Sequence, residues 1–179
     1  MKPTIHTLES APTASKPLLE ESKKTYGMLP NLHGALAGSP ELLTAYKALH
    51  GWFESTSLTE EERTVVWQTI NVEHACHYCV PAHTAIAHMR KVDPAVTDAL
   101  RDGTPLPTER LEVLRSLTLE LVRNRGHVSK TQLEAFQAAG YTEQNLLEVV
   151  LGLAQKTISN YVNHLTDTPV DAPFQKFQW

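Results

Sequence analysis

Glu73-His74-Ala75-Cys76-His77-Tyr78-Cys79-Val80-Pro81-Ala82-His83 is the stretch on which the reading of this chain turns. Pro81 sets its geometry. A proline inside a helix loses a hydrogen bond and clashes with the preceding turn, but near a helix start the amides lack partners anyway. The stretch therefore reads as a break followed by a helix beginning around 76–78, not as one helix running on from Glu73. Both sulfurs then fall in or beside a first turn, where unpaired amides and the helix dipole favour a thiolate. His83 follows Cys79 by four residues, one turn along the same face, and is placed to take its proton directly or through a water. A thiol three residues away can capture an oxidised partner as a disulfide.

Two carboxylates precede the motif and are candidates to orient the imidazole: Glu73, three residues before Cys76, and Glu62, eleven residues before Glu73 and on the same helical side. Each also has a plainer role. Glu62 pairs with Thr59 in a capping box, and Glu73 is an acid in a last helical turn.

Working outward, the pattern is helical throughout, with no convincing alternating strand. Expected helices lie at Pro17–Tyr26, near 32–37, from Ser39-Pro40 through Leu42, Tyr46, Leu49 and Phe53, and from Thr59 through Val66 and Ile70. Asp93-Pro94 opens a short one that stops near Gly103, and Leu111 to Val122 marks a long one ending at Arg125-Gly126. Ser129 and Gln132 form a second capping-box pattern, and Gly140 ends that helix. The last helix, about 143–165, is apolar nearly all round and is expected to be buried in the core or in a subunit interface. Trp52, Trp67 and Tyr46 are expected in the core, or lining an apolar pocket near Cys79. His33, His50, His127 and His164 read as surface or satisfied core groups. The polar run Ser159 to His164 suggests that Asn160, Asn163 or His164 faces the site or an interface. The organisation expected is an N-terminal arm over 1–16, one all-α domain over 17–165 and a Pro-rich C-terminal arm over 166–179. That last arm packs on its own domain or on a neighbour.

The balance of 16 basic against 20 acidic residues, net −4, provides no footprint for nucleic acid or an anionic membrane. No apolar run approaches a membrane span, and residues 1–15 lack the apolar core of an export signal, so the expected compartment is the cytoplasm. Two cysteines three apart in a reducing compartment point to catalysis or metal binding, not to a structural clasp. Zinc is the metal alternative, since His74, Cys76, His77, Cys79, His83 and His88 are all possible ligands. They crowd along one segment, however, where structural zinc sites usually take a second ligand pair from across a loop. A non-catalytic redox sensor is the other alternative. A c-type haem is excluded because Val80, not a histidine, follows Cys79.

The run CHYCVPAHT (76–84), preceded by ERTVVWQTINVEHA (62–75), resembles the alkyl hydroperoxidase D-like branch of the carboxymuconolactone decarboxylase superfamily, with its pattern Cys-x-Tyr/His-Cys-x-x-x-His. The stretch from Ala138 to Asp171 also resembles that family's closing helix, and the likeness spans roughly 35–170. The resemblance implies an all-α helical bundle that assembles into homo-oligomers, commonly trimers or multiples of them. It implies that Cys79 meets the peroxide, Cys76 resolves it to a disulfide and His83 serves the proton relay. It further implies a hydroperoxide substrate, a dithiol reductant or a thioredoxin-like or peroxiredoxin partner, and neither cofactor nor metal. The chain departs from the family pattern twice. Thr64 stands twelve residues before Cys76, where many members carry the relay Glu, and His74-Ala75 stands where many have Asn-Gly.

Overall fold

A computed structural model describes residues 3–179, and among them nine α-helices and two short 3-10 helices follow one another without a strand. The helices are α1 (Lys16–Tyr26), α2 (Asn31–Leu36), α3 (Pro40–Glu54), α4 (Glu60–Glu73), α5 (Cys79–Met89), α6 (Pro94–Asp102), α7 (Glu109–Arg123), α8 (Lys130–Ala138) and α9 (Glu143–Thr166). Local signals set most of their ends. Ser39 accepts from the Leu42 amide at the start of α3, and Thr59 and Glu62 exchange both bonds of a capping box at the start of α4. At α8 only the Ser129 half of the expected box is made, through the Gln132 amide. A full box that the sequence reading missed, Thr142 with Asn145, opens α9. After α7 the chain turns through Arg125 and Gly126, both at positive φ.

Helix α4 is the central element and packs against α5, α6, α7 and α9, while α3 lies along α9. One core cluster gathers Phe53, Val66, Trp67, Ile70, Leu114, Leu117, Phe136 and Val149. A second holds Leu19, Leu36, Leu43, Tyr46, Tyr78, Ala82 and both cysteines. The cysteine pair thus sits in a core of its own between the first helices and the start of α5. Gly152 lets α9 approach closely: a Cβ there would meet the Phe53 ring at 2.7 Å and Val66 at 3.0 Å.

One placement differs from expectation. Trp52 is 63% exposed and belongs to neither core, because it projects from the outer side of α3. The stretch before α1 packs against α2 and the turn that follows it. The His6 amide donates to Gly34 O at 2.9 Å, Ser15 Oγ donates to Ala37 O at 2.7 Å, and Ala11 is buried. Along helix α9 one side is buried in the core, and Leu147, Val150, Tyr161 and Leu165 are exposed on the other. The C-terminal arm packs on its own domain, with a 3-10 helix over Ala172–Phe177 lying against α5. Among the described residues no helix is long and apolar enough to cross a membrane.

Candidate active site

The turn between α4 and α5 places the first cysteine. Helix α4 ends in a Schellman arrangement: the Cys76 amide donates to Asn71 O and the Ala75 amide to Val72 O, both at 2.9 Å. The residue in the left-handed position is Ala75, at φ 49°, where glycine carries no Cβ penalty. The chain reverses there and drops Cys76 into the interior with no exposure at all. Tyr78 is the N-cap of α5, Cys79 its first residue and Pro81 its third, a position whose missing amide costs nothing. The helix starts one residue beyond the expected 76–78. The Cys79 amide donates to Cys76 Sγ at 3.3 Å, so the free amide of the helix start serves the first sulfur.

The second sulfur is served from α9. Lys156, Ser159, Asn160 and Asn163 follow one another at helical spacing, form a buried polar stripe and have no exposure. Asn163 Nδ2 donates to Cys79 Sγ at 3.2 Å. Asn160 Nδ2 donates to Asn71 Oδ1 at 3.0 Å, and Asn160 Oδ1 lies 2.9 Å from His74 Nδ1, which fixes the stripe to the end of α4. Lys156 Nζ lies 2.9 Å from His83 Nε2.

These contacts separate the two thiols. Burial is the largest effect on Cys79 and pushes its thiol up. The Cys76 hydrogen bond, the Lys156 charge and the Asn163 and Asn160 amides together outweigh it, so Cys79 lies below the usual cysteine range. Cys76 is pushed up by the hydrogen bond it gives to Cys79, then by burial and by the charge on Cys79. Burial, followed by the Lys156 charge, holds His83 well below the usual histidine range. Its ring is therefore neutral, Nε2 accepts from Lys156, and the ring proton is assigned to Nδ1. The imidazole packs against Trp67 with ring centres 4.8 Å apart.

Cys79, His83 and Lys156 open on one cavity of about 480 Å³, and Cys76 lies behind them, outside its lining. Tyr46, Tyr78, Ile86, Met89 and Phe174 make much of its apolar wall. The polar wall holds His33, His50, Glu54 and Arg90. Glu54 accepts from Arg90 and lies 3.4 Å from His50. The His50 bond, opposed by burial and helped by Arg90, brings Glu54 down to about 2. Gln155 links this wall to the ring behind His83, accepting from Trp67 Nε1 at 2.8 Å and approaching His50 Nδ1 at 3.4 Å.

The geometry brings Cys76, Cys79 and His83 together, and does not bring Glu62 or Glu73 to them. Glu62 is engaged by the Thr59 amide and by Arg110, and Glu73 by a two-pronged pair with Arg123 at 2.8 Å. Neither lines the cavity; the carboxylate that does is Glu54. Thr64, twelve residues before Cys76, is buried and donates to Glu60 O. His33 and His50, read from sequence as unremarkable, line the cavity. Of the polar run on α9, Asn160 and Asn163 face the site, while His164 is exposed. The possible metal ligands turn apart: His74 to Asn160, His77 to the Thr168 carbonyl and His88 to the Phe177 ring. Among the described residues no three His, Cys, Asp or Glu side chains are grouped to hold a metal ion. Lys156, Gln155 and Glu54 escaped the sequence reading; the available signal was a lysine four residues before Asn160 on an apolar helix.

The C-terminal arm completes the site. Both residues between the cysteines are tied to it. His77 Nε2 lies 2.9 Å from Thr168 O, and Tyr78 OH donates to Asp171 Oδ2 at 2.5 Å. Asp171 also accepts from the Asn31 amide, and Pro173 and Phe174 close one side of the cavity. Arg101 holds the arm's end through the carbonyls of Phe177 and Gln178.

This is the fold of the AhpD core. A protein described as an alkylhydroperoxidase AhpD core, an uncharacterized peroxidase-related protein from Ralstonia eutropha JMP134, superposes with a TM-score of 0.83 at 22% identity, over 96% of this chain and 92% of that one. An uncharacterized peroxidase-related protein from Silicibacter sp. TM1040 gives 0.80 at 20% identity, over 97% and 93%. The debrominase Bmp8, in complex with 2,3,4-tribromopyrrole, gives 0.77 at 17% identity, over 98% and 93%. No protein-family model matches the chain, and no curated protein matches it by sequence.

Proposed function

We propose that the chain is a thiol-dependent peroxidase and disulfide oxidoreductase in which Cys79 attacks, Cys76 resolves and His83 belongs to the proton relay. The observation that carries this reading is the asymmetry of the pair. Cys79 opens on the cavity in surroundings that favour its thiolate, and Cys76 lies directly behind it as a thiol. A thiolate is the nucleophile, and a protonated neighbour on the same turn is the right second reactant. The Cys79 thiolate attacks an oxygen of the hydroperoxide, the O–O bond breaks, and an alcohol leaves after protonation. The Cys76 thiol then displaces water from the Cys79 sulfenic acid to give the disulfide, and a dithiol reductant or a thioredoxin-like or peroxiredoxin partner restores both thiols. The apolar wall suits an organic hydroperoxide, and the exposed side of α9 suits assembly into a homo-oligomer.

The test is mass measurement after graded hydrogen peroxide, tert-butyl hydroperoxide and cumene hydroperoxide, followed by turnover with several dithiols. The expected result is loss of two hydrogens in the unaltered protein, a trapped sulfenic acid in Cys76→Ser and no oxidation in Cys79→Ser. Two thiols that persist under every peroxide would overturn the proposal. Because Bmp8 shares the fold, 2,3,4-tribromopyrrole belongs in the same panel.

A further inference from the structure

Lys156 is a lysine with no exposure, and among the described residues it has no carboxylate within ion-pair distance. Burying an ammonium group is costly unless a partner compensates it. Its hydrogen-bond partner is the neutral His83, at 2.9 Å. The charged and titratable groups facing this region from the packed elements are Tyr26 on α1, His33 on α2, Tyr46, His50 and Glu54 on α3, Cys79 on α5 with Tyr78 and Arg90 at its two caps, and Cys76 on the turn. Glu54 is already consumed by Arg90 and His50. Cys79 is then the group left to carry the compensating negative charge. It lines the same cavity as Lys156 and is held by Asn163, seven residues further along the same face of α9.

We propose that Lys156 is the acid of this site: its ammonium pairs with the Cys79 thiolate and delivers the proton that the departing alkoxide needs. This rests on the peroxidase reading above and assigns the residue that takes the place of a relay carboxylate. The step balances. Cys79 thiolate, Cys76 thiol, ROOH and the Lys156 ammonium become the disulfide, ROH, water and neutral Lys156. Cys79 is oxidised to the sulfenic acid as the O–O bond is reduced, and the Lys156 proton leaves with ROH. The Cys76 proton leaves with water. When a dithiol reduces the disulfide it releases one proton as Cys79 returns to thiolate, and Lys156 recovers it. The part of His83 in the relay is then to position its proton donor: Nε2 accepts from Lys156 and aims the ammonium, while Trp67 packs against the ring.

Three variants test this: Lys156→Gln removes the charge, Lys156→Met removes charge and hydrogen bond, and Lys156→Arg keeps a cation that does not give up its proton. Two readouts are followed against pH in parallel, Cys79 alkylation by iodoacetamide and oxidation by cumene hydroperoxide. The expected result is an alkylation midpoint raised by about one pH unit or more in Gln and Met, so that alkylation below it falls about tenfold. Arg alkylates nearly as the unaltered protein does, yet oxidises about tenfold or more slowly. A folded Gln variant with an unmoved alkylation profile overturns the pairing, and an Arg variant that oxidises at the full rate overturns the proton delivery. If Gln and Met fail to fold, Arg alone decides the second point, and the ordinary protein decides the first: alkylation at pH 7 as slow as a free cysteine peptide overturns it. Alkylation does not depend on peroxide turnover, so failure of the peroxidase reading is distinguishable from failure of the Lys156 assignment.

Discussion

Tyr78 OH and Asp171 Oδ2 are 2.5 Å apart inside the protein, and that bond joins the residue between the two cysteines to the C-terminal arm. Burial raises Asp171 above the usual aspartate range in spite of the Tyr78 and Asn31 bonds. Tyr78→Phe leaves a buried carboxyl short of one donor, and a loss of about 1–3 kcal/mol is expected. Urea unfolding measures the loss. Hydrogen exchange over 168–179 locates it, and faster exchange confined to the arm is the expected pattern; unchanged protection there would show that the arm is held by other contacts.

Asn163 is placed to tune Cys79. Asn163→Leu removes the amide that donates to Cys79 Sγ, and a hydrogen bond to a charged acceptor is worth about 1.5–3 kcal/mol. The midpoint of Cys79 alkylation against pH should rise by about one to two units. Iodoacetamide rates across pH 4–10 provide the measurement, and a midpoint that stays in place would remove Asn163 from the site's electrostatics.

Acid should weaken the protein through His33. Burial, followed by the charges of Lys47 and His50, lowers His33 to about 3, against about 6.5 unfolded. A base with a depressed folded pKa leaves stability fully present above the unfolded value. As pH falls from 6.5 toward 3 the unfolded chain binds a proton that the folded chain refuses, and stability is lost. At pH 5 this amounts to about 2 kcal/mol. Denaturant curves of the unaltered protein and of His33→Gln at pH 7 and pH 5 should diverge in slope against pH, the variant being flatter.

Ala75 carries a strain that one substitution relieves. At φ 49° an alanine holds a position suited to glycine, and Ala75→Gly is expected to stabilise the fold by about 0.5–1 kcal/mol. The opposite sign is expected at Gly152, where an alanine would press on Phe53 and Val66 and cost about 1–3 kcal/mol. Thermal unfolding of the two variants reads both signs in one experiment, and two shifts in the same direction would contradict the geometry.

The helices were legible because their signals are local. Ser39-Pro40, Thr59 with Glu62, Asp93-Pro94 and Pro81 each act within one turn of themselves, and each marks a helix start in the structure. The Cys76, Cys79 and His83 cluster was legible for the same reason, since one turn and one helix position all three. What was not legible depends on tertiary direction. Glu62 and Glu73 lie on the same helix as one another, but the position of Arg110 and Arg123 on α7 decides where they point. Lys156 reaches His83 and Asn163 reaches Cys79 across more than seventy residues of chain, and only the packing of α9 on α5 brings them there. Trp52 and Trp67 share an apolar neighbourhood in sequence, and the choice of buried face separates them.

The tethering of His77 and Tyr78 to residues 168 and 171 has a practical consequence for anyone handling this protein. Trp179 belongs to the same clamp: its Nε1 donates to Arg101 O, and Arg101 also reaches Thr84, one residue beyond His83. Substitutions within 168–179 would loosen that clamp and, through it, the two residues that separate the sulfurs. A change made there for convenience acts on the cysteine turn, and rates measured with it in place describe a different molecule.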